Sequence, residues 1–210
     1  MDKIRIHSVL SNSKVNGPGS RCVVWTQGCS KACKGCFNPE TWNTKINNLY
    51  EVEDLYKLIL SHLQSGNTGV TFTGGDPLEQ PEAMLLLLQL LNNHLDLMPH
   101  GIILFTGYTI EEINSSDNQA LKDCIPLIDL IIDGRFEIDK KINNILAGSG
   151  NQRFHFNCII GRGEHRINRD EIEIDQEVEI HCHPDSDLIQ ITGFPRIDRE
   201  FFRIKGIEIK

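Results

Sequence analysis

Cys29, Cys33 and Cys36 fall within one short stretch, with three and then two residues between them. Thiolates at this spacing can converge on a single metal centre. Three are one too few to saturate a tetrahedral zinc ion or all four irons of a cubane cluster. A coordination position left open is where chemistry can occur. Gly74-Gly75-Asp76-Pro77 is a second unusual stretch. Its adjacent glycines let backbone come close to a ligand, and Asp76 can accept hydrogen bonds from a ligand ammonium. Each feature also has a plainer reading. The triplet could be a zinc knuckle that takes its fourth ligand from His181-Cys182-His183. Strand alternation opposes this, because it puts His181 and His183 on one face and Cys182 on the other. Gly74 to Pro77 could be an ordinary turn, as could Asn16-Gly17-Pro18-Gly19, which precedes the triplet. A plain electron-transfer ferredoxin would supply a fourth cysteine close by, and none lies between Cys36 and Cys124.

These residues need elements to position them. Hydropathy patterning predicts strands over 4–9, 21–26, 70–73, 102–106 and 127–132. It predicts helices over 51–65 and 80–93, and one or two short helices within 110–125. Continuous apolar strands alternating with helices belong to parallel sheets. Four strand ends carry the least ordinary residues: Cys29 to Cys36, Gly74 to Pro77, Thr106 to Tyr108, and Asp133. One ligand site at the C-terminal edge of a curved parallel sheet would collect all four. The repeat count is too low for a closed eight-fold barrel. The expected fold is therefore α/β, a partial (βα) barrel or open curved parallel sheet. After Phe156 the texture changes to strict alternation over 171–174, 178–183 and 188–192, with a turn at 184–187. This predicts a small β-rich appendage. The division expected is 1–156 and 157–210.

At 210 residues, 40% hydrophobic and 24% charged, the chain has an ordinary globular composition. A net charge of -8 argues against broad binding to nucleic acid or an anionic membrane. The apolar run from Met84 to Leu88 is too short to span a bilayer. No apolar leader follows Met1, and seven cysteines is an odd number. Both point to a reduced, cytoplasmic protein with a metal or redox site rather than a disulfide scaffold. Cys22, Cys124, Cys158 and Cys182, scattered singly, read as small buried hydrophobes.

The triplet after one strand and Gly-Gly-Asp-Pro after a later one resemble the radical S-adenosylmethionine (SAM) superfamily. The resemblance narrows when the motifs are taken in order. Val15 to Arg21, Gln27-Gly28-Cys29, Cys36 to Trp42, Thr73 to Leu78, Thr106-Gly107-Tyr108, Asp133 to Phe136 and Gly148 to Gln152 resemble the glycyl-radical activases of class III anaerobic ribonucleotide reductases. The likeness covers about residues 5 to 156. It implies that Cys29, Cys33 and Cys36 hold three irons of a [4Fe–4S] cluster. SAM would bind the fourth iron, and reductive cleavage would give methionine and a 5′-deoxyadenosyl radical. That radical would take a hydrogen atom from a glycine of the partner reductase. The resemblance further implies a SAM pocket bounded by Gly74, Gly75, Asp76, Pro77, Thr106, Tyr108 and Asp133. It makes Asn16, Gly17, Pro18 and Gly19 the loop that receives the partner's glycine segment. An electron donor such as flavodoxin or ferredoxin would be required. Asn38 and Trp42 would brace the cysteine loop, and Asn151 and Gln152 would either contact SAM or partner or cap their own loop. Asp133 would touch the ribose or a cation, or cap the following turn.

Two features depart from the wider pattern. Position 35 is Gly, where the superfamily often has an aromatic residue; the reductase activases share the Gly. Residues 157–210 have no counterpart in the short activases. Rival readings are a radical SAM enzyme acting on another protein, peptide or small molecule, a non-catalytic iron–sulfur or zinc protein, and a binding module that has lost activity. A co-purifying reductase whose C-terminal region carries the radical glycine argues against the first; the second predicts no SAM cleavage; the intact triplet and Gly-Gly-Asp-Pro speak against the third.

Overall fold

The computed structural model describes residues 2–45, 48–142, 146–157, 167, 178–182 and 189–193. Nine strands are found among them: β1 (Lys3–Ser13), β2 (Arg21–Thr26), β3 (Leu49–Glu51), β4 (Gly69–Gly74), β5 (Ile102–Phe105), β6 (Leu130–Asp133), β7 (Arg153–Phe156), β8 (Val178–Cys182) and β9 (Ile189–Gly193). The first seven form one sheet in the order β3-β1-β2-β4-β5-β6-β7. Its centre, β2, β4, β5 and β6, is parallel. The flanking strands β1, β3 and β7 pair antiparallel. β8 and β9 form a separate antiparallel hairpin.

The parallel strands read as unbroken apolar runs because both of their faces are buried. Alternation sends Cys22, Val24, Val70, Phe72, Ile102, Leu104 and Ile131 to one face. That face is covered by helices α1 (Val52–Gln64), α2 (Pro81–Leu91) and α4 (Gln119–Cys124). In α1, Val52, Leu55, Ile59 and Leu63 recur at helical spacing and are buried. Burying each such side chain contributes roughly 2 kcal/mol. Pro81 starts α2, where a missing N–H costs nothing, and Ala83, Met84, Leu87, Leu88 and Leu91 face inward. The opposite face carries Val23, Trp25, Ile103, Leu130 and Ile132. Among the described residues no α-helix contributes to the apolar clusters on that side.

Three strands differ from the sequence expectation. β1 runs on to Ser13, past residue 9, because register irregularities between Ile6 and Ser8 and between Leu10 and Ser13 interrupt its alternation. β3 and β7 are short strands of three and four residues at the two ends of the sheet, with little pattern to read. β8 and β9 fall where alternation predicts a hairpin. The strand expected over 171–174 lies outside the described residues.

The N-terminal edge of the parallel strands is tied together by Arg21, which is fully buried. Its guanidinium donates to the carbonyls of Pro18, His100, Val70 and Gly101 and to Thr71 Oγ1, at 2.7 to 3.0 Å. Burial pulls its pKa down to about 9 and the Asp129 charge opposes this, so it stays charged at neutral pH. Arg21→Leu would take this donor from the buried Pro18 and Val70 carbonyls, each worth about 1–3 kcal/mol, and would remove further bonds to His100, Gly101 and Thr71. The expected loss of stability is about 3 kcal/mol or more, read from the midpoint of chemical denaturation; a shift below about 1 kcal/mol would contradict this role.

Candidate metal centre

Parallel pairing in register brings the ends of β2, β4, β5 and β6 to one edge of the sheet. The cysteine loop starts there, directly after Thr26. Its base is closed by two backbone bonds, Gly28 N–H to Thr41 C=O at 2.7 Å and Cys29 N–H to Trp42 C=O at 3.1 Å. The Gln27 amide reinforces the base by donating to the carbonyls of Glu40 and Asn43. Between these anchors the chain reverses through Ala32, at φ +45°, and Gly35, at φ +76°. The three cysteines are half-buried free thiols. Asn38 N–H donates to Cys36 Sγ at 3.4 Å, and the Trp42 side chain also hydrogen-bonds Cys36. Both bracing residues expected from sequence therefore touch the loop.

The turn after β4 meets this loop at close quarters. Gly75 N–H donates to Thr26 C=O and Asp76 N–H to Gly28 C=O, both at 2.9 Å. A side chain at Gly75 would place its Cβ 2.4 Å from the Gly28 carbonyl oxygen, so only glycine fits. Asp76 is completely buried. Its carboxylate accepts from Leu78 N–H at 3.1 Å, Thr106 Oγ1–H at 2.9 Å and Gly107 N–H at 2.9 Å, which fastens the β5 turn to the β4 turn. A capping box, Thr109 with Glu112, then starts α3 (Ile110–Ser115) and fixes where that turn ends. Glu79 closes the arrangement. Its carboxylate accepts from Ser30 N–H at 2.9 Å, from the Ser30 hydroxyl and from Lys31 Nζ at 3.3 Å. The Lys31 ammonium in turn sits 3.4 Å from the centre of the Tyr108 ring. Three strand-end loops are thus joined in a circuit: cysteine loop to Glu79, Asp76 to Thr106 and Gly107, Tyr108 back to Lys31.

The electrostatics follow from burial. Desolvation pushes Asp76 up to about 6, with the bonds from Thr106 and Gly107 and the Lys31 charge restraining it. Burial pushes the Cys29 thiol up to about 11, and the Asp76 and Glu79 carboxylates add to this against bonds from the Lys31 and Ala32 backbone. Cys36 is raised as well, chiefly by burial. Without metal the Cys29 thiol is therefore neutral at pH 7, and ligation must displace its proton.

Asp133 ends β6 at the same edge and is fully buried. Its carboxylate accepts from Ile110 N–H at 2.8 Å and pairs with Arg153, and His155 Nε2 lies 3.1 Å away. Burial works to raise it, but these partners outweigh burial and hold it below the ordinary carboxylate range. Asp133 thus caps the start of α3, a helix that precedes it in the chain, rather than the turn that follows it. Asn151 donates to Arg135 C=O, and Gln152 bonds Gly148, Ser149 and Gly134, so both join the loop after β6 to the loop before β7.

Asn16 to Gly19 is not brought to the cysteines. It lies at the N-terminal end of β2, roughly 17 Å from the cysteine loop by strand rise. Gly17, at φ +126°, allows the Arg21 side chain and Ile103 to pack against it. Asn16 is buried, its carbonyl accepting from Thr71 Oγ1 at 2.9 Å and its amide donating to Ser13 Oγ at 2.8 Å. His181 bonds Glu179 at 3.3 Å on β8, and His183 lies outside the described residues. Sequence reasoning missed Glu79, Lys31 and Arg153. Glu79 carried one faint signal, an acidic residue three places past Asp76; Arg153 carried none, because its partner lies across a strand pair.

Among the described residues no three His, Cys, Asp or Glu side chains are gathered closely enough to hold a metal ion. The donor set nevertheless suits an iron–sulfur cluster: three thiols on an irregular loop, with a backbone N–H already directed at one sulfur. A cluster's own bonds would draw the three together. Glu79→Ala removes the clamp on that loop, and a cluster held by Cys29, Cys33 and Cys36 should then lose iron to a chelator on the order of 10-fold faster. An unchanged rate would contradict the clamp. Gly75→Ala should cost about 1–3 kcal/mol in denaturation experiments, and a neutral substitution would contradict the close approach to Gly28.

A family model described as a 4Fe-4S single cluster domain matches residues 15–155. The anaerobic ribonucleoside-triphosphate reductase-activating protein of Vibrio cholerae is 38% identical over 154 residues, covering 71% of this chain and 96% of its own length. That of Salmonella typhimurium is 31% identical over 155 residues, covering 72% of this chain and 98% of its own. That of Enterobacteria phage T4 is 36% identical over 145 residues, covering 68% and 88%. Together these matches establish that the chain belongs to the family of anaerobic ribonucleoside-triphosphate reductase-activating proteins with a 4Fe–4S cluster domain.

Proposed function

We propose that this protein is a radical SAM enzyme that installs a glycyl radical on a partner anaerobic ribonucleotide reductase. The observation that carries the reading is the circuit at one sheet edge, where Glu79 and Lys31 tie the cysteine loop to the turns at Gly74 to Pro77 and Thr106 to Tyr108. A cluster held by Cys29, Cys33 and Cys36 would supply the electron for reductive cleavage of SAM to methionine and a 5′-deoxyadenosyl radical, which would take one hydrogen atom from the partner's glycine.

The residues have separable tasks. Cys29, Cys33 and Cys36 would hold three irons. Gly74 and Gly75 offer backbone free of side chains, so SAM can lie against the β4 turn. Asp76 keeps acceptor capacity beyond its three bonds, and a carboxylate can meet the amino group of SAM there. Thr106, Gly107 and Tyr108 border the same space, and buried Asp133 supports it from below through α3. Lys31 lies between Asp76 and Tyr108. Burial opposes its charge, but Asp76, Tyr108 and Glu79 more than compensate, so it stays an ammonium. Asn16 to Gly19, at the far end of the face opposite the helices, would receive the part of the partner's segment that flanks its glycine, with the glycine itself reaching the cysteine edge. Residues 1–156 form the core, with the open order of its sheet favouring a partial barrel, and 157–210 form an extension.

The partner is the reductase large subunit, and a flavodoxin or ferredoxin would supply the electron. The cytoplasm suits thiols that must stay reduced. No helix among the described residues is long and apolar enough to cross a membrane.

The test is anaerobic. With reconstituted cluster, dithionite and SAM, the parent should form 5′-deoxyadenosine and raise a glycyl radical signal on the reductase. Cys33→Ala should reduce both to background, while Cys22→Ala, altering a buried thiol remote from the loop, should keep both. Product from Cys33→Ala, or no radical on any class III reductase despite SAM cleavage, would overturn the reading.

A further inference from the structure

A parallel sheet needs cover on both faces. Here the helices among the described residues cover one. On the other, Val23, Ile103, Leu130 and Ile132 are each 0% exposed although no partner is present. Part of that cover comes from beyond Phe156. Ile167 is 2% exposed and belongs to the same apolar cluster as Ile103, Leu130 and Ile132. The hairpin makes a second contact. Asn16 Nδ2 donates to Thr192 Oγ1 of β9 at 2.8 Å, between two buried side chains. Lys14 N–H donates to Glu179 Oε1 of β8 at 2.8 Å. Ile167 and the hairpin therefore touch the face opposite the helices and the 14–19 loop, respectively. The 4Fe–4S family match ends at residue 155, and the Salmonella relative is 98% accounted for by 72% of this chain. The contacts of Ile167, Glu179 and Thr192 are thus additions to the family core.

We infer that Ile167 and the β8–β9 hairpin form an intrachain cover that occupies the face and loop where the partner's glycine segment docks, so that binding of the reductase requires the cover to leave. This rests on the proposed function, which makes that face the docking surface. Its physical basis is exclusion: Asn16 cannot meet a partner while its amide is buried against Thr192, and a segment cannot pack on Ile103 and Ile132 while Ile167 does. The anchors among the described residues are one aliphatic side chain and two hydrogen bonds, and a partner that buries more than the cover does would displace it. The cover would lower apparent affinity by the fraction of molecules in which it is closed.

The experiment uses the full chain with reconstituted cluster and the class III reductase. Hydrogen exchange is followed with and without the reductase, and binding is compared for the parent, Ile167→Ala and Thr192→Val. On binding, β8 and β9 should exchange faster while residues 14–20 become protected. Each variant should bind the reductase several-fold more tightly, on the order of 3- to 10-fold. If β8 and β9 become protected or do not change, or if the variants bind no better than the parent, the cover is refuted even though a glycyl radical forms. If SAM is cleaved but no radical or binding appears with the parent, the function itself fails and the cover with it.

Discussion

The Glu79 carboxylate holds Ser30 and Lys31 from a position 49 and 48 residues further along the chain. The site depends on that reach. A loop bearing three cysteines has only one 3-10 turn, Pro39–Thr41, to fix it, and the entropy of such a loop favours many arrangements. Two backbone bonds close its base. Glu79 ties down its first turn, and the hold is charge-assisted and largely screened from water, with side chains 13% and 9% exposed for Glu79 and Lys31. Through Asp76, which bonds Thr106 and Gly107, the same constraint passes to the next strand end. The loops that would surround a cluster and its ligand are therefore set relative to one another before either is bound, which is how a protein supports cofactor chemistry.

Beneath the site lies a sheet whose two faces are buried by different means. Helices pack one face into the main core. The other is filled by Trp25, Ile103, Phe105 and Ile132, with Phe154 and Phe156 from β7 and contributions from Leu146 and Ile167. Arg21 locks the edge away from the cysteines, and Asp76 and Glu79 organise the edge that carries them. Arg21 at one end and Asp76 at the other thereby pair several of the buried polar groups of the sheet edges.

Much of this was legible in the sequence, for local reasons. The spacing of Cys29, Cys33 and Cys36, the glycines at 74 and 75 and the apolar runs of β2, β4, β5 and β6 each express a constraint within a few residues. The expectation that four strand ends share one edge follows from parallel pairing, and the register bears it out. What was not legible is long-range. No pattern links Ser30 to Glu79, or Asp133 to Arg153 on an antiparallel neighbour. The length of β1 was hidden by its register irregularities. Asn16 to Gly19 reads as a functional loop or a turn. Only the fold reveals that Gly17 is required by packing against Arg21 and Ile103 at the edge opposite the cysteines.

The most direct test of the central claim is the electron paramagnetic resonance spectrum of the reduced, reconstituted full chain before and after SAM is added. A three-thiolate cluster with one open iron, set beside the Gly74 to Pro77 turn, predicts a [4Fe–4S] signal whose g-values shift when SAM binds. A verified [4Fe–4S] signal that SAM leaves unchanged, or a colourless zinc-loaded protein, would contradict the account.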